Sequence, residues 1–511
     1  MKKILFTIAA IALVFNSCKT KDSVTSTVKD DGIITFKFIQ LNDVYEIAPL
    51  SGGLYGGMAR VAHVADSIKK AEPNSFMVMA GDFLSPSLLG TMRHDGKRIM
   101  GKQMIEVMNA MNFDLVTFGN HEFDLKEEEF QNRLNESNFQ WISTNVKQQI
   151  DGEAIAFSIA RNGNSKPLQE TYRLLISDAD GTEAVLGFFG VTLDSNPQPY
   201  VVYEDYLESV QRVYPELKEN SDIIVGLTHL GLSQDKKLAE TLPGISLLMG
   251  GHEHHSMLLD AGNAKIAKAD ANAKTIYVHT LTFYKNQNRL MIDSELVPID
   301  EKVPSQRLVQ EIVEDWNVIL ETEIKKVVDD PYEQIYFANT PLDGTDSASR
   351  GIQTNLGGFI AEAMAASFNY EVDGALVNGG SIRIDDELKN EITPVDIFRV
   401  LPFGGGVLKV ELKGSLLTEV LDYGKQARGT GAYLQRYNFS QNEKGEWLIA
   451  ENQIDPNKTY TIAFSDFLLK GFDIPFLTPE NDRVLSVYKP TEEETGYDIR
   501  KALIAFMKRL K

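Results

Sequence analysis

Apolar residues along the chain fall into short runs separated by amphipathic stretches. The runs Ile33–Leu41, Ser75–Ala80, Asp114–Phe118, Val185–Val191, Asp222–Leu227 and Ile245–Met249 are mostly continuous in apolar character, which predicts strands buried on both faces. Met58–Ala71, Lys102–Met111, Lys126–Asn135, Tyr206–Leu217 and Asp235–Leu242 predict helices between them. Alternation of this kind predicts an α/β layered domain over residues 33–302. Residues 303–330 then predict a linker helix, Ser305–Val328, bounded by Pro304 and Pro331. Its apolar stripe is Leu308, Ile312, Val313, Trp316, Leu320 and Ile324. A second α/β unit is expected over 331–511, with helices at Gly357–Ser367, Thr393–Val400, Lys413–Gly424 and Ile499–Lys508. A chain of 511 residues is too long for one ordinary core, so two domains also agree with its length.

Polar residues at the strand ends carry the chemistry. Asn42-Asp43 follows the first run, Gly81-Asp82 the second and Gly119-Asn120-His121-Glu122 the third. Thr228-His229 and Gly250-Gly251-His252-Glu253-His254 close the last two. Sites in open α/β sheets gather beyond the carboxyl ends of strands. One such residue is ordinary turn chemistry; five endings in one domain predict a metal site. Five of the eight histidines, including His255, lie in these segments, which leaves His63, His94 and His279 as expected surface or supporting residues. The mixed oxygen and nitrogen donors suit Mn, Zn, Fe or Co, and a carboxylate such as Asp82 can bridge two ions.

Charge narrows the partners. With 51 basic against 72 acidic residues the net charge is −21, which excludes a nucleic-acid polymer as partner. An anionic small molecule would need local cations, from metals or arginines, to overcome that field.

The N-terminus reads as a targeting segment. Lys2 and Lys3 precede an apolar run, Ile4–Phe15, that is short for a membrane span. Asn16-Ser17 then leads to Cys18, the only cysteine. The segment resembles a bacterial lipoprotein signal over residues 1–18 with lipidation at Cys18, although Phe15 and Asn16 stand where a Leu and a small residue are usual. Residues 19–32 read as a polar tether. The expectation is an exported protein, anchored through Cys18 in the periplasm or at the outer membrane or cell surface.

Several other motifs are excluded. Leu125 and Ser256 replace the second histidine of a His-Glu-x-x-His zinc protease. Gly96-x-x-x-x-Gly101-Lys102 continues with Gln103 and lacks a preceding strand, so it is no phosphate loop.

The strand-end segments resemble those of the calcineurin-like metallophosphoesterases, and the C-terminal half resembles the 5′-nucleotidase and UDP-sugar hydrolase family. The resemblance covers nearly everything after Ile33. It implies a layered α/β/β/α sandwich followed by a second α/β substrate domain, with the active cleft between them and domain rotation about residues 300–330 as a gate. It implies two metal ions: one held by Asp43, Asp82 and His254, the other by Asp82, Asn120, His229 and His252. His121 and Asp124 match a catalytic pair, the histidine stabilising charge or protonating the leaving oxygen and the aspartate orienting it. Arg350 and Arg383 would clamp anionic oxygens, with Asn378 beside them. Phe403, and either Phe472 or Phe476, would stack on a base. The family's Asp-x-His is here Asp43-Val44-Tyr45. Tyr45 as tyrosinate, Glu46, or a water are the three candidates for the missing ligand. The implied substrates are nucleoside 5′-monophosphates, with UDP-sugars, 2′,3′-cyclic nucleotides or non-catalytic nucleotide binding as alternatives.

Overall fold

A computed structural model describes residues 29–161 and 163–511; Cys18 and most of the tether lie outside the described residues. Two six-stranded sheets form the first domain. One runs in the order Arg289–Pro298, Thr275–Tyr284, Ile33–Leu41, Ser75–Ala80, Leu115–Thr117, Gln140–Trp141. The other runs Thr171–Ser177, Glu183–Thr192, Ile223–His229, Ile245–Gly250, Ala264–Lys268, Met257–Ala261. In both, the strands that carry the polar endings pair in parallel. Their carboxyl ends therefore share one edge of the sandwich.

Between the sheets lies a dry layer containing Phe36, Phe38 and Val78 from one and Leu186, Phe188, Val225 and Leu247 from the other. Burying each such side chain is worth about 1.5–3 kcal/mol. Helices Met58–Ala71 and Lys102–Ala110 cover the outer face of the first sheet, and Tyr206–Asn220 and Leu232–Thr241 that of the second. The result is the expected α/β/β/α layering.

The antiparallel strand pairs at 257–268 and 275–298 escaped the sequence reading. Their edge strand Arg289–Pro298 has no fully buried residue, so it lacks the apolar run that marks an inner strand. His279 also needs correcting. It is fully buried in Thr275–Tyr284, between Gln40 Oε1 and Ser294 Oγ at 2.8 Å each. Gln40 Nε2 donates to Gly250 O and Ala267 O, so its Oε1 accepts and the histidine carries its proton on Nε2.

The linker helix is Arg307–Ile324 and lies along the first domain's helices. Val309, Val313, Trp316, Leu320 and Ile324 form its buried stripe, while Leu308, expected on that stripe, is exposed. Trp316 Nε1 donates to Glu106 Oε2 at 2.9 Å, fixing the helix to Lys102–Ala110. One hydrophobic cluster continues from Val313 and Trp316 into Ile360, Met364, Phe398 and Leu503 of the second domain. That domain is a five-stranded sheet, Leu434–Tyr437, Gly374–Asn378, Thr459–Ser465, Val407–Lys413, Val484–Tyr488. Its helices are Asn355–Ala366, Pro394–Val400, Gly414–Gln426 and Ile499–Leu510, close to the predicted spans. No helix among the described residues is long and apolar enough to cross a membrane.

Candidate active site

Asp43, Asp82 and His229 each leave a strand of the first domain at the same edge, and their ligand atoms lie within 4.8 Å of one another. His229 Nε2 is 3.1 Å from Asp82 Oδ2 and 3.8 Å from Asp43 Oδ1. Its Nδ1 donates to Ala80 O at 2.8 Å, which leaves Nε2 as the free ring nitrogen. All three residues are buried. Burial alone would raise the carboxyl of Asp43, but His229 and His254 reverse this and hold it well below the carboxylate range. For His229, burial is outweighed by Asp82 and Asp43, and the imidazole is pushed up to about 9. A site with this much negative potential is one that takes up cations.

Close packing makes the cluster possible. A Cβ on Gly119 would fall 2.1 Å from Asp82 Oδ1, and one on Gly81 would fall 2.4 Å from Gly119 N. Asp43, Asp82, His252 and His254 all have positive φ, at 54°, 57°, 88° and 61°. Left-handed backbone at non-glycine residues is held only where the surroundings over-determine it. Glu122, to which the sequence assigns no role, does that holding at Asp82. Its carboxylate accepts from the amides of Asp82, Phe83, Leu84 and Gly119 at 2.5–3.1 Å. The Gly250–His254 turn is braced from behind. Lys268, fully buried, pairs with Glu253 and with Asp235 Oδ2 at 2.7 Å and donates to Leu230 O at 2.6 Å.

His252 donates its amide to Asp43 Oδ2 at 2.9 Å, and its ring centroid is 5.5 Å from that of His229. Burial and His229 both lower its imidazole. Asn120 lines the same cleft. His254 Nε2 lies 3.4 Å from Asp43 Oδ1 and 2.9 Å from Tyr45 Oη. Tyr45 therefore reaches the cluster, at 3.4 Å from Asp82 Oδ2. Burial, then Asp82 and Asp43, push its phenol well above the usual range. Glu46 does not reach it. Its carboxylate turns to Leu88 N and the Arg399 guanidinium, which removes it as a substitute ligand.

Beside the cluster, His121 Nδ1 is 2.9 Å from Asp124 Oδ2. Asp124 also accepts from Ser85 Oγ at 2.8 Å and Asn196 Nδ2 at 2.9 Å. Burial would raise Asp124, but His121, Arg383 and Ser85 bring it down to about 2. His121 is pushed up to about 10, Asp124 and Asp82 overcoming the opposing effect of burial.

The second domain closes the cleft. Arg383 Nη2 is 3.7 Å from Asp124 Oδ2, and Arg350 lines the same cavity while paired with Asp346 at 2.8 Å. Asn378 is held by Asp473 and Ser381 and lines a neighbouring pocket with Phe403. Phe403 is 63% exposed and 5.9 Å from the Arg383 guanidinium, so it is a surface ring and not a core residue. Phe476 is half-buried, packs on Tyr423 against the second domain's own core, and does not line the pocket that holds Phe403. Phe472 is 74% exposed, and Phe467, absent from the sequence reading, lies 5.9 Å from it and faces the pocket. Phe467 follows the strand Thr459–Ser465, the same strand-end position that marked the metal-capable residues.

Comparison with known proteins agrees with this architecture. Residues 36–256 match the calcineurin-like phosphoesterase family and residues 334–478 the 5′-nucleotidase C-terminal domain. A 5′-nucleotidase of Bos taurus is 28% identical over 479 residues, 82% of this chain and 78% of the relative. The trifunctional nucleotide phosphoesterase YfkN of Bacillus subtilis is 26% identical over 466 residues, 80% of this chain but 30% of that protein. The structure of a 5′-nucleotidase precursor from Thermus thermophilus superimposes with a TM-score of 0.65 at 22% identity, covering 94% of this chain and 97% of the other, which speaks to fold.

Proposed function

Since the chain belongs to the 5′-nucleotidase family of calcineurin-like, metal-dependent phosphoric ester hydrolases, we propose that it removes phosphate from nucleoside 5′-monophosphates in the cleft between its two domains. The observation that carries this reading is a set of buried polar atoms with no hydrogen-bond partner. Asp43 Oδ1, Asn120 Oδ1 and His229 Nε2 are all of this kind, and all belong to the strand-end cluster. Buried lone pairs left unpaired cost about 1–3 kcal/mol each, which a cation at the same place would recover. The residues therefore fit a divalent pair: Asp43, Asp82 and His254 for one ion, and Asp82, Asn120, His229 and His252 for the other.

Two divalent ions bound there supply positive charge for an anionic phosphate and ease deprotonation of water near neutral pH. The chain's own groups do the rest. Asp124 fixes the His121 ring through Nδ1, leaving Nε2 to donate toward the leaving oxygen. Arg383 and Arg350 add forked donors from the second domain. Phe403, with Phe467 or Phe472, offers faces for a base. Export and anchoring through Cys18 belong to the same proposal, supported by the Lys2–Cys18 pattern; Cys18→Ala should shift the protein from the membrane to the soluble fraction.

A hydrolysis panel with Mn, Zn, Fe and Co added separately tests the activity. Release of phosphate from AMP, exceeding turnover of UDP-glucose and 2′,3′-cyclic AMP, is expected. Nucleotide binding without phosphate release from any of them would overturn it.

A further inference from the structure

The histidine missing after Asp43 leaves one metal position short of a protein ligand, and the structure offers a replacement from the other domain. Asp385 lies just beyond Arg383, in the segment joining Gly374–Asn378 to Glu387–Ile392. Its Oδ2 is 3.4 Å from His254 Nε2, the same separation as His254 Nε2 from Asp43 Oδ1. Two atoms that each bind one ion at about 2.1 Å lie about 3.0–3.4 Å apart at octahedral to tetrahedral angles, so both spacings are those of co-ligands.

Three further observations hold Asp385 in that place. Its backbone is in the left-handed region, at φ 44°. Its Oδ1 accepts from the amide of Asp346 at 2.7 Å, which leaves Oδ2 to face His254. Its backbone carbonyl accepts from His254 Nδ1 at 2.8 Å, so the proton sits on Nδ1 and the Nε2 lone pair is turned toward Asp385, Asp43 and Tyr45 Oη, where a metal would take the place of the tyrosine's hydrogen bond. Independently, Asp43 Oδ1 faces this space fully buried and without a partner.

Resting on the two-metal reading above, we propose that Asp385 is a ligand of the ion held by Asp43, Asp82 and His254, so that this metal position is completed across the domain boundary. A carboxylate is the better donor here than Tyr45, whose phenol must lose a proton before it ligates. One bound ion would then join three strand ends of the first domain to a loop of the second. The domain arrangement and the affinity of that ion become linked, each favouring the other.

Metal uptake tests this without reference to turnover. Metal-free full-length protein is titrated with Co(II), following equivalents bound and the visible absorption of the bound ion, and Asp385→Asn is compared with wild type. Asparagine tolerates the left-handed backbone, so the variant keeps the loop geometry. Asp386→Asn, which removes a partner of Lys274 instead, serves as the control, and thermal unfolding of the metal-free proteins checks folding. The expected result is two equivalents in wild type and in Asp386→Asn, with one of them weakened about 10–100-fold in Asp385→Asn and its absorption altered. If Asp385 only pairs with a protonated His254, Asp385→Asn binds both ions as tightly as wild type or tighter, and the inference is overturned while the metal reading stands. If wild type takes up no ion, both fall.

Discussion

The two sides of the cleft are built to different standards. On the first domain's side, Asp43, Asp82 and His229 are buried and packed against glycines that cannot carry a Cβ, and the two aspartates are held on left-handed turns. On the second domain's side, Phe403 and Phe472 are 63% and 74% exposed. One side is fixed before any ligand arrives. The other presents apolar faces whose burial must wait for the ligand. The contrast teaches where each kind of error is tolerated: ångström displacements among charge-bearing atoms change the chemistry itself, whereas a ring that stacks on a base needs only to be within reach.

Substitutions can break this comparison, and the largest effect is expected at the fixed side. Asp82→Asn removes the carboxylate proposed to serve both ions, and kcat/KM for AMP should fall by about 10³-fold or more, as for groups that stabilise developing charge. A loss below tenfold would mean that the cluster is not the reactive centre. Next, His121→Asn should lower kcat by about 10²–10⁴-fold, the span of a positioned acid–base group, with bound metal unchanged. Metal analysis alongside the kinetics separates a proton donor from a structural prop. On the open side, Phe403→Ala should raise KM for AMP about tenfold with kcat nearly constant, since stacking on one base is worth about 1–3 kcal/mol. Ribose 5-phosphate, which has no base, should not respond. A fall in kcat as large as that of His121→Asn would erase the contrast.

The smallest effect concerns stability. Burial holds the imidazole of His279 down to about 3, against 6.5 for an unburied ring. The unfolded chain therefore binds the extra proton as pH falls below about 6.5, and stability is lost progressively until about pH 3. His279→Asn removes that dependence, so its urea midpoint should change less between pH 6.5 and 4.5 than that of wild type, whatever its value at neutral pH. Identical slopes would show that His279 titrates normally.

Most of the fold and much of the site can be read from the chain. Strands Ile33–Leu41, Ser75–Ala80 and Ile245–Gly250 are visible because inner strands buried on both faces are mostly apolar, so a polar ending stands out against them. Edge strands such as Arg289–Pro298 lack that contrast and were missed. The residues that support the site were also missed, for a different reason. Glu122 looks like half of a protease motif until its four amide donors are seen, three of them about forty positions away in sequence. Lys268 looks like a surface lysine, and Asp385 like a loop acid. Their partners lie on other strands or in the other domain, and no local period records such contacts. The same holds for Phe476, whose neighbour Tyr423 belongs to a distant helix.

The Glu122 clamp bears on the order of events in the life of the chain. Four backbone amides from the ends of two strands converge on one carboxylate, with no part for an ion in the arrangement. The ordering of these strand ends is thus a cost met by folding and not by metal binding. Metal-free and metal-loaded protein should therefore share these strand ends. A site ordered in advance would then take its metals by supply as well as by the preferences of its donor atoms.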